Sequence, residues 1–135
     1  MKILLDTHIF LWFVSADARL SVAMREGIQD PANQAYLSAV SVWEVIVKHQ
    51  LGKLPLPATP ESYLPEQRMR HRIDSLPLDE ACVAQLARLP AIHRDPFDRM
   101  LICQAMHHDL VLATEDGLVR NYTVAVAGTP WHRPR

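Results

Sequence analysis

The sequence predicts an α/β domain with a mostly parallel central sheet flanked by helices. Three observations carry this. Ile3-Leu4-Leu5 and Val111-Leu112-Ala113-Thr114 are short, almost wholly apolar runs, as expected of strands buried on both faces. Between such runs lie stretches with apolar residues at helical spacing, and strand–helix alternation implies a parallel sheet covered on both sides. The chain has 135 residues. That is enough for a single domain, 1–135, burying roughly two thirds of the surface its unfolded chain exposes.

The elements follow in order. The Ile3–Leu5 strand ends at Asp6, and the apolar stretch Thr7–Val14 is predicted helical. Leu20–Ile28 alternates at helical spacing, and Ala35–Leu37 reads as the second strand. Ser41–Leu51 places Val42, Val45 and Ile46 on a helical period, with Gly52 as its stop. A Pro-rich connection then leads into a helix from about Glu61. Ile73–Leu76 is a short strand, and Asp79 caps a helix running to Leu89. Pro96–His108 is the clearest helix, with Asp95 at the N-cap and Pro96 at the first helical position. A strand at Val111–Thr114, a helical turn at Asp116–Arg120 and a last strand at Val124–Val126 complete the set.

Composition narrows the function classes. Hydrophobic residues make up 49% and charged residues 21%, which is ordinary for a globular domain. The net charge of −1 supplies no bulk field for nucleic acid, so any such contact needs a local basic patch. The two cysteines, Cys82 and Cys103, lie in apolar surroundings and fit buried thiols of a reducing compartment. Asp6 and His8 interrupt the first apolar stretch, which is too short for a membrane span. A cytoplasmic, soluble protein is expected.

In parallel sheets ligands bind beyond the carboxyl ends of the strands. Asp6 ends the first strand there, and Asp116 follows the Val111 strand. Glu44 is expected in the first turn of the helix after strand two, and Asp98 in the first turn of the Pro96 helix. Each acid has a plain structural role open to it. Ser41 and Glu44 can form a capping box, and Lys48 is one turn beyond Glu44. Asp98 favours the helix dipole, and Asp116 can cap a turn. Asp6 has no such partner nearby in sequence. Together, four carboxylates at one edge repel and raise each other's pKa unless a cation neutralises them. A hard divalent ion such as Mg²⁺ takes oxygen ligands, and one or two such ions can activate water and clamp a phosphate. No nucleophile elbow or phosphate loop competes. The seven histidines show no zinc spacing with the cysteines. For His93 and His107 surface or capping roles are expected.

Four blocks in this order, "LLDTHIFLW", "SVWEVIVKHQLGKL", "HRDPFDRMLICQA" and "LATEDGLVRNY", resemble a PIN-domain ribonuclease toxin of the VapC type over nearly the whole chain. The resemblance implies a mostly parallel sheet flanked by helices and Mg²⁺- or Mn²⁺-dependent RNA cleavage. It implies Asp6, Glu44, Asp98 and Asp116 as the metal-binding and catalytic acids, with Thr114 lining the site. It also implies a small antitoxin of the VapB type that blocks the site, and a homodimer. His8 departs from the apolar or small polar residue that many members carry.

Lys48, Lys53, Arg99 and the run Arg68–Arg72 are candidate contacts to an RNA backbone, the run being equally able to serve as a solvated helix end. Trp12, Trp43 and Trp131 could stack on bases, with core packing expected for the first two. A haloacid-dehalogenase-like phosphatase would need an acid at the position of His8, and a receiver domain would need paired acids by strand one. A PIN-type nuclease outside a toxin–antitoxin pair and a non-catalytic PIN-like scaffold are the alternatives.

Overall fold

The computed structural model describes residues 1–93 and 95–116, together with the backbone of 126–127. The elements run β1 (Lys2–Leu5), α1 (Thr7–Val14), α2 (Val22–Gln29), β2 (Gln34–Ser38), α3 (Ala39–Gln50) and α4 (Pro60–Arg70). They continue with β3 (Asp74–Leu76), α5 (Glu80–Ala84), a 3₁₀ turn (Gln85–Arg88), α6 (Pro96–His107), β4 (Val111–Ala113) and β5 (Val126–Ala127). The sheet order is β3-β2-β1-β4-β5, and every described pairing is parallel. The expected α/β architecture is therefore present. The expected turn at Asp116–Arg120 beyond Asp116, and the start of the Val124–Val126 strand, lie outside the described residues.

Alternation within β1 explains the absence of a polar face. Ile3 and Leu5 pack into one core layer with Phe10, Met24, Leu64 and Ala113. Leu4, between them, packs into the other layer with Leu101, Ile102, Cys103 and Leu112. Side chains of a strand point alternately to opposite faces, so a sheet covered twice needs apolar residues at every position.

Two boundaries differ from expectation. α3 begins at Ala39, not Ser41, because Ser38, the last residue of β2, is already the N-cap. Its Oγ accepts the Val40 N–H at 3.0 Å. Strand passes to helix with no loop, and Ser41 falls inside the helix. The Ser41–Glu44 capping box therefore does not form, and Glu44 lies in the second turn rather than the first. The expected Asp79–Leu89 helix splits into the short α5 and the 3₁₀ turn. Asp79 does cap it, accepting the Cys82 N–H at 2.8 Å.

Ser38 also ties α3 to α6. Its hydroxyl donates to Gln104 Oε1 at 2.5 Å, and Gln104 Nε2 donates to the Pro77 carbonyl at 3.3 Å. Both side chains are fully buried, so each depends on the other for hydrogen bonding. α6 starts as its sequence indicates. Asp95 Oδ1 accepts the N–H groups of Phe97 and Asp98 at 2.9 and 3.1 Å, and Pro96 occupies the first helical position.

Candidate functional site

Asp6 is held by backbone on both sides. Its N–H donates to the Ala113 carbonyl at 2.9 Å, continuing the β1–β4 ladder by one residue. It occupies the N-cap position of α1, yet its carboxylate makes no capping bond. That carboxylate instead accepts the Thr114 hydroxyl at 2.6 Å. Thr114 Oγ1 in turn accepts the Asp116 N–H at 3.0 Å. One threonine thus sets both Asp6 and the backbone that carries Asp116.

Glu44 reaches the same edge from α3 and is 3% exposed. Thr7 donates to its Oε1 at 2.7 Å, and Thr7 Oγ1 lies 2.9 Å from Ser41 Oγ. Lys48, one turn along α3, forms an ion pair with Glu44 Oε2. Asp98 comes from the first turn of α6. Asp6, Glu44, Asp98, Asp116 and Lys48 all line one cleft of about 340 Å³, together with His8, Trp12, Arg19, Asp95 and Glu115. The four acids singled out in the sequence therefore meet at the carboxyl edge of the sheet.

Their electrostatics follow from that crowding. Burial raises the Asp6 carboxyl above its ordinary range; Thr114 and His8 offset this in part, and Glu44 adds to it. Burial, reinforced by Asp6, Asp95 and Glu44, pushes Asp98 up to about 7. Burial draws the Lys48 ammonium down, but the bond to Glu44 and the charges of Asp95 and Asp98 outweigh it, and its pKa rises.

For His93 the expected capping role is present, but the ring also has a place in the site. It is 9% exposed and sits among the acids rather than at the surface. Its Nδ1 accepts the Asp95 N–H at 3.1 Å, which leaves Nε2 as the protonated nitrogen. Nε2 lies 2.5 Å from Asp116 Oδ2 and 3.2 Å from Asp98 Oδ2. Capping and site roles coincide in one ring. Its position two residues before a capping aspartate was the available clue.

Other expected contacts fall differently. Arg99 is not among the described residues lining the cleft; its guanidinium donates to the Leu89 carbonyl at 3.4 Å. Arg68 donates to the Ile73 carbonyl and Arg70 pairs with Glu66. Arg72 lies just before β3, at the amino edge of the sheet, opposite the acids. Arg19, absent from the sequence-based set, does reach the cleft and lies 5.0 Å over the Trp12 ring. Trp43 is 56% exposed, not core, and meets Phe97 edge to face. Trp131 lies outside the described residues.

The donor set is chemically coherent. The acids supply hard carboxylate oxygens, which suit Mg²⁺ or Mn²⁺ rather than a thiophilic metal. A cation bound among them would offset the repulsion that Asp6, Asp95 and Glu44 add to the burial of Asp98.

Comparison with known proteins places the fold in a family. Ribonuclease VapC22 of Mycobacterium tuberculosis is 25% identical over 130 residues, covering 96% of this chain and 98% of that protein. Ribonuclease VapC16 of the same organism is 40% identical over 57 residues, but the match spans only 40% of its length. The structure of VapBC2 from Rickettsia felis bound to a promoter DNA fragment superposes with a TM-score of 0.72 at 13% identity, covering 98% of this chain and 100% of that one. FitAcB from Neisseria gonorrhoeae gives 0.56 at 25% identity, with 97% and 99% covered. The PIN domain model matches residues 3–123. With four acids on the carboxyl edge of a parallel sheet and that match over most of its length, the chain belongs to the PIN-domain family, among relatives that include VapC ribonucleases.

Proposed function

We propose that this protein is a Mg²⁺- or Mn²⁺-dependent endoribonuclease and the toxin of a toxin–antitoxin pair. The convergence of Asp6, Glu44, Asp98 and Asp116 in one cleft carries this reading. Asp6, Asp98 and Asp116 would hold the ion, with Glu44 completing the acidic set. When bound, the ion supplies an activated water and charge stabilisation at a phosphodiester. The chain does the rest. Thr114 orients Asp6 and the Asp116 backbone. His93 Nε2–H fixes the Asp116 and Asp98 carboxylates relative to each other. Lys48 and Arg19 bring positive charge to a mainly acidic wall, which lowers the repulsion an RNA backbone meets there. His8, exposed in the cleft lining, offers a ring face on which an unpaired base can stack.

The partners of this reading are an RNA substrate, a small cognate antitoxin of the VapB type and a second copy of the chain. A cytoplasmic location accords with it, and no helix among the described residues is long and apolar enough to cross a membrane. Expression alone tests the toxin role. Wild type should arrest growth, Asp6→Ala should not, and co-expression of the small protein encoded beside it should restore growth. Equal harmlessness of wild type and Asp6→Ala at equal protein levels would defeat it.

A further inference from the structure

α6 runs from the acidic cleft to the opposite edge of the sheet, and a second group of ligating side chains gathers at its far end. Its 12 residues span about 18 Å at 1.5 Å per residue. His107 is its last residue and His108 its C-cap. Packed against that end is the start of α5, with Asp79 at the N-cap and Cys82 within the helix. One ligand atom from each of Asp79, Cys82, His107 and His108 lies within 4.8 Å of all the others. Linear spacing concealed this set, because a neighbouring pair of histidines meets an aspartate and a cysteine from a different helix.

We propose that Asp79, Cys82, His107 and His108 form a structural zinc site, separate from the acidic cleft. Tetrahedral zinc with bonds of about 2.0–2.3 Å sets its donors roughly 3.3–3.7 Å apart. Cys82 Sγ and His108 Nε2 are already 3.5 Å apart, and His108 Nε2 and Asp79 Oδ2 are 3.6 Å apart. The remaining adjustment falls within reach of His107, whose side chain is exposed. Asp79 is pre-aimed: its Oδ1 is engaged by the Cys82 N–H, which turns Oδ2 toward the histidines. Such a hydrogen bond is how ligands are oriented in metal sites.

The charges also balance. One carboxylate, one thiolate and two neutral imidazoles make a neutral complex with Zn²⁺. A cation at the last turn of α6 is favoured by the helix dipole. The thiol and imidazoles select a borderline-soft ion over Mg²⁺. Four ligands from the chain close the coordination sphere, the pattern of a structural rather than a catalytic zinc. Such an ion would pin the short α5, only five residues long, to the end of α6. Cysteine ligates zinc as the thiolate, not the thiol. Zinc binding therefore breaks the S–H bond, forms an S–Zn bond and releases that proton to solvent.

The test uses the full chain, stripped with EDTA and then held in excess Mg²⁺ so that the acidic cleft does not compete. Co²⁺ is titrated first. A thiolate-to-cobalt charge-transfer band and the visible bands of tetrahedral Co²⁺ are expected, both abolished by one equivalent of Zn²⁺. Calorimetry of Zn²⁺ binding in buffers of different ionisation heat should show release of the Cys82 proton. Cys82→Ser should abolish the charge-transfer band and the proton release. His108→Gln, at a half-buried position, should weaken zinc by more than the roughly 10- to 100-fold that losing an outer partner costs. Asp6→Asn should leave all these signals intact. The proposal fails if no thiolate band forms, if the band survives Cys82→Ser, or if His108→Gln binds zinc as tightly as wild type. It also fails if Asp6→Asn removes the bound zinc, since the ion would then belong to the acidic cleft.

Discussion

Replacing Asp98 by asparagine should stabilise the metal-free protein while disabling its cleft. In the folded chain Asp98 keeps its proton up to about 7, against 3.8 for the ordinary carboxyl. Burial is the first cause, and the charges of Asp6, Asp95 and Glu44 follow. Between those two values the folded state binds more protons than the unfolded one. Stability therefore falls as pH rises through that window, and the full penalty is present above about pH 7. A rise of about three units corresponds to at most roughly 4 kcal/mol at 1.36 kcal/mol per unit. The side chain is 22% exposed, and solvent screening reduces this to about 1–2 kcal/mol. Asparagine keeps the shape and removes the charge. Urea unfolding in EDTA at about pH 8 should show Asp98→Asn more stable by that amount, with the gain shrinking as pH falls toward about 4. Added Mn²⁺ should then stabilise wild type more than the variant, because the ion binds only the folded cleft. A variant that is less stable than wild type at about pH 8, or a gain that ignores pH, would refute the repulsion. Asp98 would then be a helix-dipole residue paired with His93.

Asp95, three residues away, should behave differently. Asp95→Asn should keep the cap and leave cleavage nearly unchanged, with at most a small gain in stability at about pH 8 because its charge adds to the repulsion on Asp98. Asp95→Ala should lose on the order of 1 kcal/mol in the same urea assay and keep measurable activity. Ser38→Ala should lose about 2–3 kcal/mol, because it removes the cap of α3 and leaves the buried Gln104 carbonyl without its donor. A loss within about 0.5 kcal/mol, the range of ordinary surface changes, would show that water replaces the hydroxyl there.

Much of the fold was legible because its strands are buried on both faces. Ile3-Leu4-Leu5 announces such a strand without any alternation, and the parallel order follows from the helices between strands. Asp95 and Pro96 marked the start of α6 correctly because capping chemistry is local. The start of α3 was less legible because Ser38 and Ser41 both suit an N-cap. Only the tertiary contact of Ser38 with Gln104, 66 residues away, decides between them. The same distinction runs through the site. Asp6, Glu44, Asp98 and Asp116 could be gathered by knowing where strands end. Arg19 and Arg99 could not be sorted, since long side chains reach either way from a given backbone position. His93 and the cluster at Asp79, Cys82, His107 and His108 depend on contacts between segments that no periodicity links.

RNA cleavage by the purified chain tests the central claim most directly. Wild type with Mn²⁺ or Mg²⁺ should cut an RNA pool at a restricted set of sites, read by sequencing the new ends. EDTA should stop the reaction. Asp6→Asn, folded as judged by circular dichroism, should lose activity by orders of magnitude, because Asp6 is the acid fixed by both the β1–β4 ladder and Thr114. Undiminished cleavage in EDTA, or by Asp6→Asn, would contradict a nuclease centre built on these four carboxylates.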